Sequence, residues 1–155
     1  MKVERSAYDT ISDIVSLGCI IGVILYLILT WDKIPNEIPG HYNGAGEIDK
    51  ITSKSSLIVL QVVTIIMYLF LSIIEKFPQM WNVGGVKITE QNEGLIYRTS
   101  KNLLVSVKMI IVVAFSYLTI NSSKGTNLPV AFTPIFLIII FGTVIYFTIK
   151  ILRVK

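Results

Sequence analysis

The chain has 155 residues, of which 53% are hydrophobic and only 15% charged, and its mean hydropathy is +0.70. Soluble domains carry about 25% charged residues, so this composition excludes an ordinary water-soluble globular domain. The net charge of +4 would suit nucleic acid in a soluble protein. No Arg-rich helix interleaved with aromatics accompanies it, so direct nucleic-acid binding is set aside, and the basic residues read as topology signals and partners of membrane lipid.

The charges cluster between long uncharged runs. Ile14–Trp31 is 18 residues without a charge, Ser55–Ile74 is 20 and Gly125–Ile149 is 25, while Asn102–Ser123 is 22 broken only by Lys108. About 20 apolar residues cross a bilayer as a helix, so spans are predicted at about 14–31, 55–74, 102–121 and 129–149. Residues 1–13 form a polar lead, helical and continuous with the first span. No small-residue cleavage pattern follows that span, which marks it as a retained signal anchor. It contains Gly18-Cys-Ile-Ile-Gly22, a small-xxx-small pattern for close helix packing, either with another helix of the same chain or in a homodimer with a second copy. Cys19 reads as a small buried hydrophobe.

In the second span Gln61 must hydrogen-bond within the bundle, as interhelical glue or as the lining of a cleft. The connection 76–101 is broken by Pro78, Gly84 and Gly85, and from about Gln91 it reads as a helix running into the third span. Lys108 lies near enough to the end of that span for its stem to reach the surface, or for its ammonium to pair with Glu75. A short loop around Lys124 joins spans three and four, and Pro129 opens the fourth. Nine Lys and Arg residues fall on the side of the termini and four on the other, and the positive-inside rule then places both termini in the cytoplasm. The fold expected is an all-α membrane protein of one domain, residues 1–155, with four transmembrane helices, N-in and C-in, in the cell membrane. An ordered extracellular loop, 32–54, joins helices one and two.

That loop holds the chemistry. Pro35 and Pro39, each preceded by Ile, fix extended segments, and Asn43-Gly44 and Gly46 are turn formers. His41, Asn43, Glu47 and Asp49 can converge once the loop folds back. His41, Asn43 and Asp49 are expected to share one hydrogen-bonded constellation around a buried imidazole. A catalytic site needs a nucleophile with a base, or a metal with about three protein ligands. No such motif is present, so no enzymatic activity and no cofactor are expected. His41, Glu47 and Asp49 remain a weak metal candidate.

Ile38-Pro-Gly-His41-Tyr42-Asn43, followed by Gly46, Asp49 and Ser53-Lys54 between two spans, resembles the I-P-x-H-[FY]-N-x-x-G-x-x-D signature of a bacterial membrane domain of unknown function. That domain occurs at the N-terminus of SdpI-type toxin immunity proteins. Tyr97-Arg98 at the start of the third span is similar as well, whereas Ile51 stands where members often carry an aromatic. The resemblance implies a non-enzymatic immunity or sensing protein. It would recognise an extracellular antimicrobial peptide toxin through the 32–54 loop, in which Pro35, Pro39, His41, Tyr42, Asn43, Gly46, Asp49 and Lys54 bind the ligand or structure the loop, and signal to a cytoplasmic autorepressor. The alternatives are an accessory subunit packed against a transporter or membrane peptidase, with the loop as a structural cap, and a metal-binding membrane protein.

Overall fold

The computed structural model describes residues 3–81, 83 and 85–154. Lys2 and Lys155 of the charge comparison, and Asn82 and Gly84 of the second connection, lie outside the described residues. The element order is helix α1 (Ala7–Thr30), strands β1 (Glu37–Tyr42) and β2 (Ile48–Ser53), then helices α2 (Ser56–Ile74), α3 (Glu93–Ser123) and α4 (Phe132–Leu152). All four helices are long and apolar enough to cross a membrane. The protein is a multi-pass membrane protein.

The first helix starts well before the predicted apolar run. Ser6 caps it through a capping box, its hydroxyl accepting from the Asp9 N–H while the Asp9 carboxylate accepts from the Ser6 N–H at 3.0 Å. These reciprocal bonds satisfy two of the donors that a helix start leaves free. The third helix likewise continues upstream of its apolar run, as the pattern from Gln91 predicts. At 31 residues it is about 46 Å long, more than a bilayer core requires. The fourth begins at Phe132, three residues later than predicted, because Pro129 to Phe132 closes a turn, with the Phe132 N–H donating to the Pro129 carbonyl at 2.8 Å.

Helix α3 packs against each of the other three helices. Its neighbours meet it through small polar residues: Ser12 and Ser16 of α1, Thr64 of α2, and Ser106, Ser116 and Thr119 of α3 are all buried. Small side chains let helix backbones approach closely in lipid. Ser16, Thr64 and Thr119 donate back to the carbonyl four residues earlier at 2.8 Å and so stay satisfied when buried, whereas the Ser12 and Ser116 hydroxyls have no partner among the described residues.

The Gly18–Gly22 pattern does not serve this packing. The buried face of α1 is Asp9, Ser12, Ser16, Ile20, Val23 and Leu27, and a Cβ on either glycine would meet no other atom within 4 Å. Asp9 requires cationic partners inside the bundle, and the residues at helical spacing from it follow it inward. Gly18 and Gly22 therefore face away from the other helices. Gln61 is buried as expected, and its amide donates to the Ile20 carbonyl of α1 at 3.4 Å. Cys19 is only half-buried.

The all-α expectation fails between α1 and α2, where the loop is an antiparallel β-hairpin. Its register pairs Glu37 with Ser53, Ile38 with Thr52, Pro39 with Ile51, His41 with Lys50 and Tyr42 with Ile48. A proline inside a strand normally argues against one. In a two-stranded ribbon, however, each strand is an edge, so the missing N–H can face away from the partner.

Candidate functional site

The hairpin is built by its turn chemistry and clamped at its base. Asn43 organises the turn: its side-chain oxygen accepts from the N–H groups of Ala45 and Glu47 at 2.9 and 3.0 Å, and its amide donates to the Glu47 carboxylate at 2.9 Å. Gly46 adopts a positive φ of 84°, a conformation that costs an L side chain about 1–2 kcal/mol. Gly40 is the extra residue of a bulge between Pro39 and His41. A Cβ there would lie 2.7 and 2.8 Å from atoms of the Thr52 side chain, so only glycine fits without a shift. At the base, the Lys54 N–H donates to the Asn36 carbonyl at 2.9 Å, and the Lys54 ammonium lies 5.1 Å from the Trp31 ring centroid.

The two Ile-Pro units do more than extend the chain. Ile34 and Ile38 are buried and form one cluster with Val23, Leu27 and Leu57. Pro35, after Ile34, leads into β1, and Pro39 presents its carbonyl to the Ser122 hydroxyl of α3. Further bonds hold the hairpin to the α3–α4 connection. The Tyr42 hydroxyl donates to the Thr126 carbonyl at 3.3 Å and accepts from the Asn121 amide at 3.1 Å. The Ile48 N–H donates to the Asn127 side chain at 3.0 Å, and the Leu128 N–H to the Gly46 carbonyl at 2.8 Å. Asn121, Ser122, Asn127 and Leu128 hold the hairpin in place, a role that sequence reasoning did not assign to them. The Gly125-Thr-Asn-Leu-Pro129 segment, polar and turn-forming, was the available signal.

The expected constellation splits in two. His41 Nδ1 lies 2.7 Å from an Asp49 carboxylate oxygen, but Asn43 is committed to the turn and to Glu47. The pair is also exposed, with side-chain accessibilities of 66% and 42%, so the imidazole is not buried. An exposed pair contributes roughly 0.2–1 kcal/mol, less than a buried hydrogen bond to a charge. Asp49→Asn is accordingly expected to leave both the thermal midpoint and the protease resistance of the hairpin nearly unchanged. Glu47 turns to Asn43 and away from this pair. Among the described residues no group of three or more His, Cys, Asp or Glu side chains is placed to hold a metal ion, so His41, Glu47 and Asp49 do not form a ligand set. Beneath the hairpin a cleft of about 320 Å³ is lined by Pro39, His41, Tyr42, Leu118 and Phe132 among others.

At the opposite end of the bundle is a buried ionic cluster. The Lys108 side chain is 1% exposed and does not reach the surface. Its ammonium lies 2.7 Å from Asp13 of α1, 2.6 Å from Glu75 after α2 and 3.2 Å from the Ser72 hydroxyl. Two carboxylates in place outweigh the hydration that a longer reach would recover. One turn nearer the terminus, Asp9 is gripped by both Arg98 Nη1 at 3.1 Å and Lys101 at 2.9 Å. Arg98 also donates to the Glu4 carbonyl, and Lys101 to that of Val3 at 3.4 Å. Asp9 and Asp13 escaped the sequence reading because they sit in the polar lead; their four-residue spacing, continued by Ser16 and Ile20, was the signal that they face inward.

Comparison with known proteins identifies a domain of unknown function over the region that holds the hairpin. A family described as "Domain of unknown function (DUF1648)" matches residues 17–66, which include most of α1, the hairpin and the start of α2. An uncharacterized protein from Archaeoglobus fulgidus is 24% identical over 132 residues, covering 75% of this chain and 72% of that protein. No solved structure matches.

Proposed function

We propose that this chain is a non-enzymatic membrane immunity or sensing protein whose hairpin recognises an extracellular antimicrobial peptide. One observation carries this reading: the hairpin is held rigidly on one side and bare on the other. Its inner face is fixed by Ile34, Ile38, Tyr42 and Gly46, whereas His41, Glu47, Asp49, Lys50 and Ile51 are exposed. A loop serving only as a connector has no need of bonds to two further segments of the chain. A pre-shaped surface loses less freedom on binding than a mobile one, which suits recognition. The 38–49 motif, similar to that of SdpI-type immunity proteins, supports the same conclusion. In this reading the hairpin faces outward and both termini face the cytoplasm, in keeping with the asymmetry of basic residues. The cytoplasmic end, with its ionic cluster, is then the surface available to an autorepressor.

The functional test is deletion of the chain followed by challenge with peptide toxins of the same and neighbouring strains. Loss of protection that returns with the wild-type chain, but not with a His41→Ala/Ile51→Ala variant of equal abundance, is the expected result. Unchanged survival against every toxin would remove the immunity role. Orientation is tested separately, in a Cys19→Ser background. A cysteine at exposed Ala45 is expected to react with an impermeant thiol reagent on intact cells, and one at exposed Gln91 only after lysis. The reverse pattern inverts the topology.

A second reading is an accessory subunit packed against a transporter or membrane peptidase. The outward face of Gly18 and Gly22 favours it, because small residues pointing away from their own bundle suit close approach of another helix.

A further inference from the structure

The ionic cluster borders a cleft of about 620 Å³ between α1 and α2. These two helices each pack far more on α3 than on each other, and the gap between them is the cleft. Val3 and Pro78 line it together with Tyr68 and Ser72 of α2. Four cations line it (Arg5, Lys76, Lys101 and Lys108) against three carboxylates, Asp9, Asp13 and Glu75. Every carboxylate is already committed. Asp9 holds two cations, one of them Arg98 behind the cleft; Asp13 holds Lys108 and, at 2.6 Å, Arg5; Glu75 holds Lys108. Lys76 has no ion-pair partner among the described residues and is exposed at the rim. Counting Arg98, five cations face three anions, a surplus of two positive charges around a recess with low-dielectric walls. Such a recess concentrates anions.

We propose that this cleft binds a phosphate-bearing anion, with Lys76 and Arg5 at the mouth as its primary contacts and Lys101 behind them. The anion has two sources, the phosphodiester of an anionic lipid headgroup or free phosphate. The cleft opens between two membrane helices, so the acyl chains of a lipid can lie along their exposed apolar faces while the headgroup fills the recess. A zwitterionic headgroup brings its own cation and meets the surplus charge poorly.

The full chain, purified in mild detergent, is mixed with phosphatidylglycerol, with phosphatidylcholine, or with inorganic phosphate alone, and bound molecules are counted by native mass spectrometry. Retention of one phosphatidylglycerol per chain in preference to phosphatidylcholine is expected. Lys76→Gln should reduce that retention roughly fivefold, the worth of one basic residue at a membrane surface. Lys124→Gln, at the opposite end, should leave it unchanged. A thermal midpoint raised by inorganic phosphate in the wild type but not in Lys76→Gln would identify free phosphate as an occupant of the same recess. Equal retention of the two lipids without a phosphate effect, or equal losses in Lys76→Gln and Lys124→Gln, overturns the proposal. Among the described residues Lys76 makes no ion pair, so an unchanged helical circular dichroism signal separates lost binding from misfolding.

Discussion

Replacing Lys108 with methionine is expected to destabilise the bundle by about 3–5 kcal/mol, the usual cost of removing one partner from a buried ion pair. The side chain is 1% exposed and sits between Asp13 and Glu75. Its loss leaves two carboxylates facing each other across the α1–α2–α3 junction, with Arg5 and the Tyr68 hydroxyl at Asp13 offsetting part of the repulsion. The volume of methionine is similar, so the effect is electrostatic. A compensated variant makes the argument testable. With Asp13→Asn and Glu75→Gln added to Lys108→Met, most of the loss should return, because a neutral, packed cluster costs little relative to a complete ionic one. Thermal unfolding in detergent, followed by circular dichroism, measures both. If Lys108→Met unfolds at the same temperature as Lys124→Met, an exposed control, the cluster is hydrated and the account is wrong.

The second large effect is local. Gly46→Ala is expected to release the hairpin from the α3–α4 connection at a cost of about 2–3 kcal/mol, from the left-handed backbone and the lost docking bond together. An added Cβ would lie 2.7 Å from the Leu128 carbonyl oxygen and 3.1 Å from its Cβ, so Leu128 must move and its N–H leaves the Gly46 carbonyl. Gly44→Ala, two residues away, meets nothing within 4 Å and should be nearly neutral. Hydrogen exchange at the Leu128 and Ile48 amides reads the difference: fast in Gly46→Ala, protected in Gly44→Ala, with the helices unaffected in both.

The helices were legible because a charge-free run of bilayer length needs no knowledge of what packs against what. Which face of each helix points inward was less so. In water the apolar stripe marks the core, but here all faces are apolar, and the inner one is distinguished by Asp9, Ser12, Ser16, Thr64 and Lys108. A glycine pair such as Gly18 and Gly22 is conspicuous by that same logic of small residues, yet it lies on the other side of the helix from the serines that do the packing. The order of the loop could be read from its prolines and glycines. Its strands could not, since Ile38-Pro-Gly is a poor strand on local grounds. It holds that form through a bulge at Gly40 and through partners some eighty residues away. Lys108 was visible, and so was its neighbour Glu75. Asp13 was the missing partner because polar residues ahead of a span are ordinarily hydrated.

Those distant partners impose an order of events during synthesis. Tyr42 bonds residue 126, Ile48 bonds residue 127 and Pro39 bonds residue 122, separations of 84, 79 and 83 positions. At about 5–20 residues per second, the ribosome delivers the clamp roughly 4–16 seconds after the hairpin has left the exit tunnel. During that wait the hairpin has only its own turn and the ends of α1 and α2 to hold it, and a lone two-stranded ribbon is marginal in water. The exposed face of the hairpin is therefore completed late, when α3 has inserted and its far end has arrived. A chain stalled or cut before residue 121 would display an unfinished version of it.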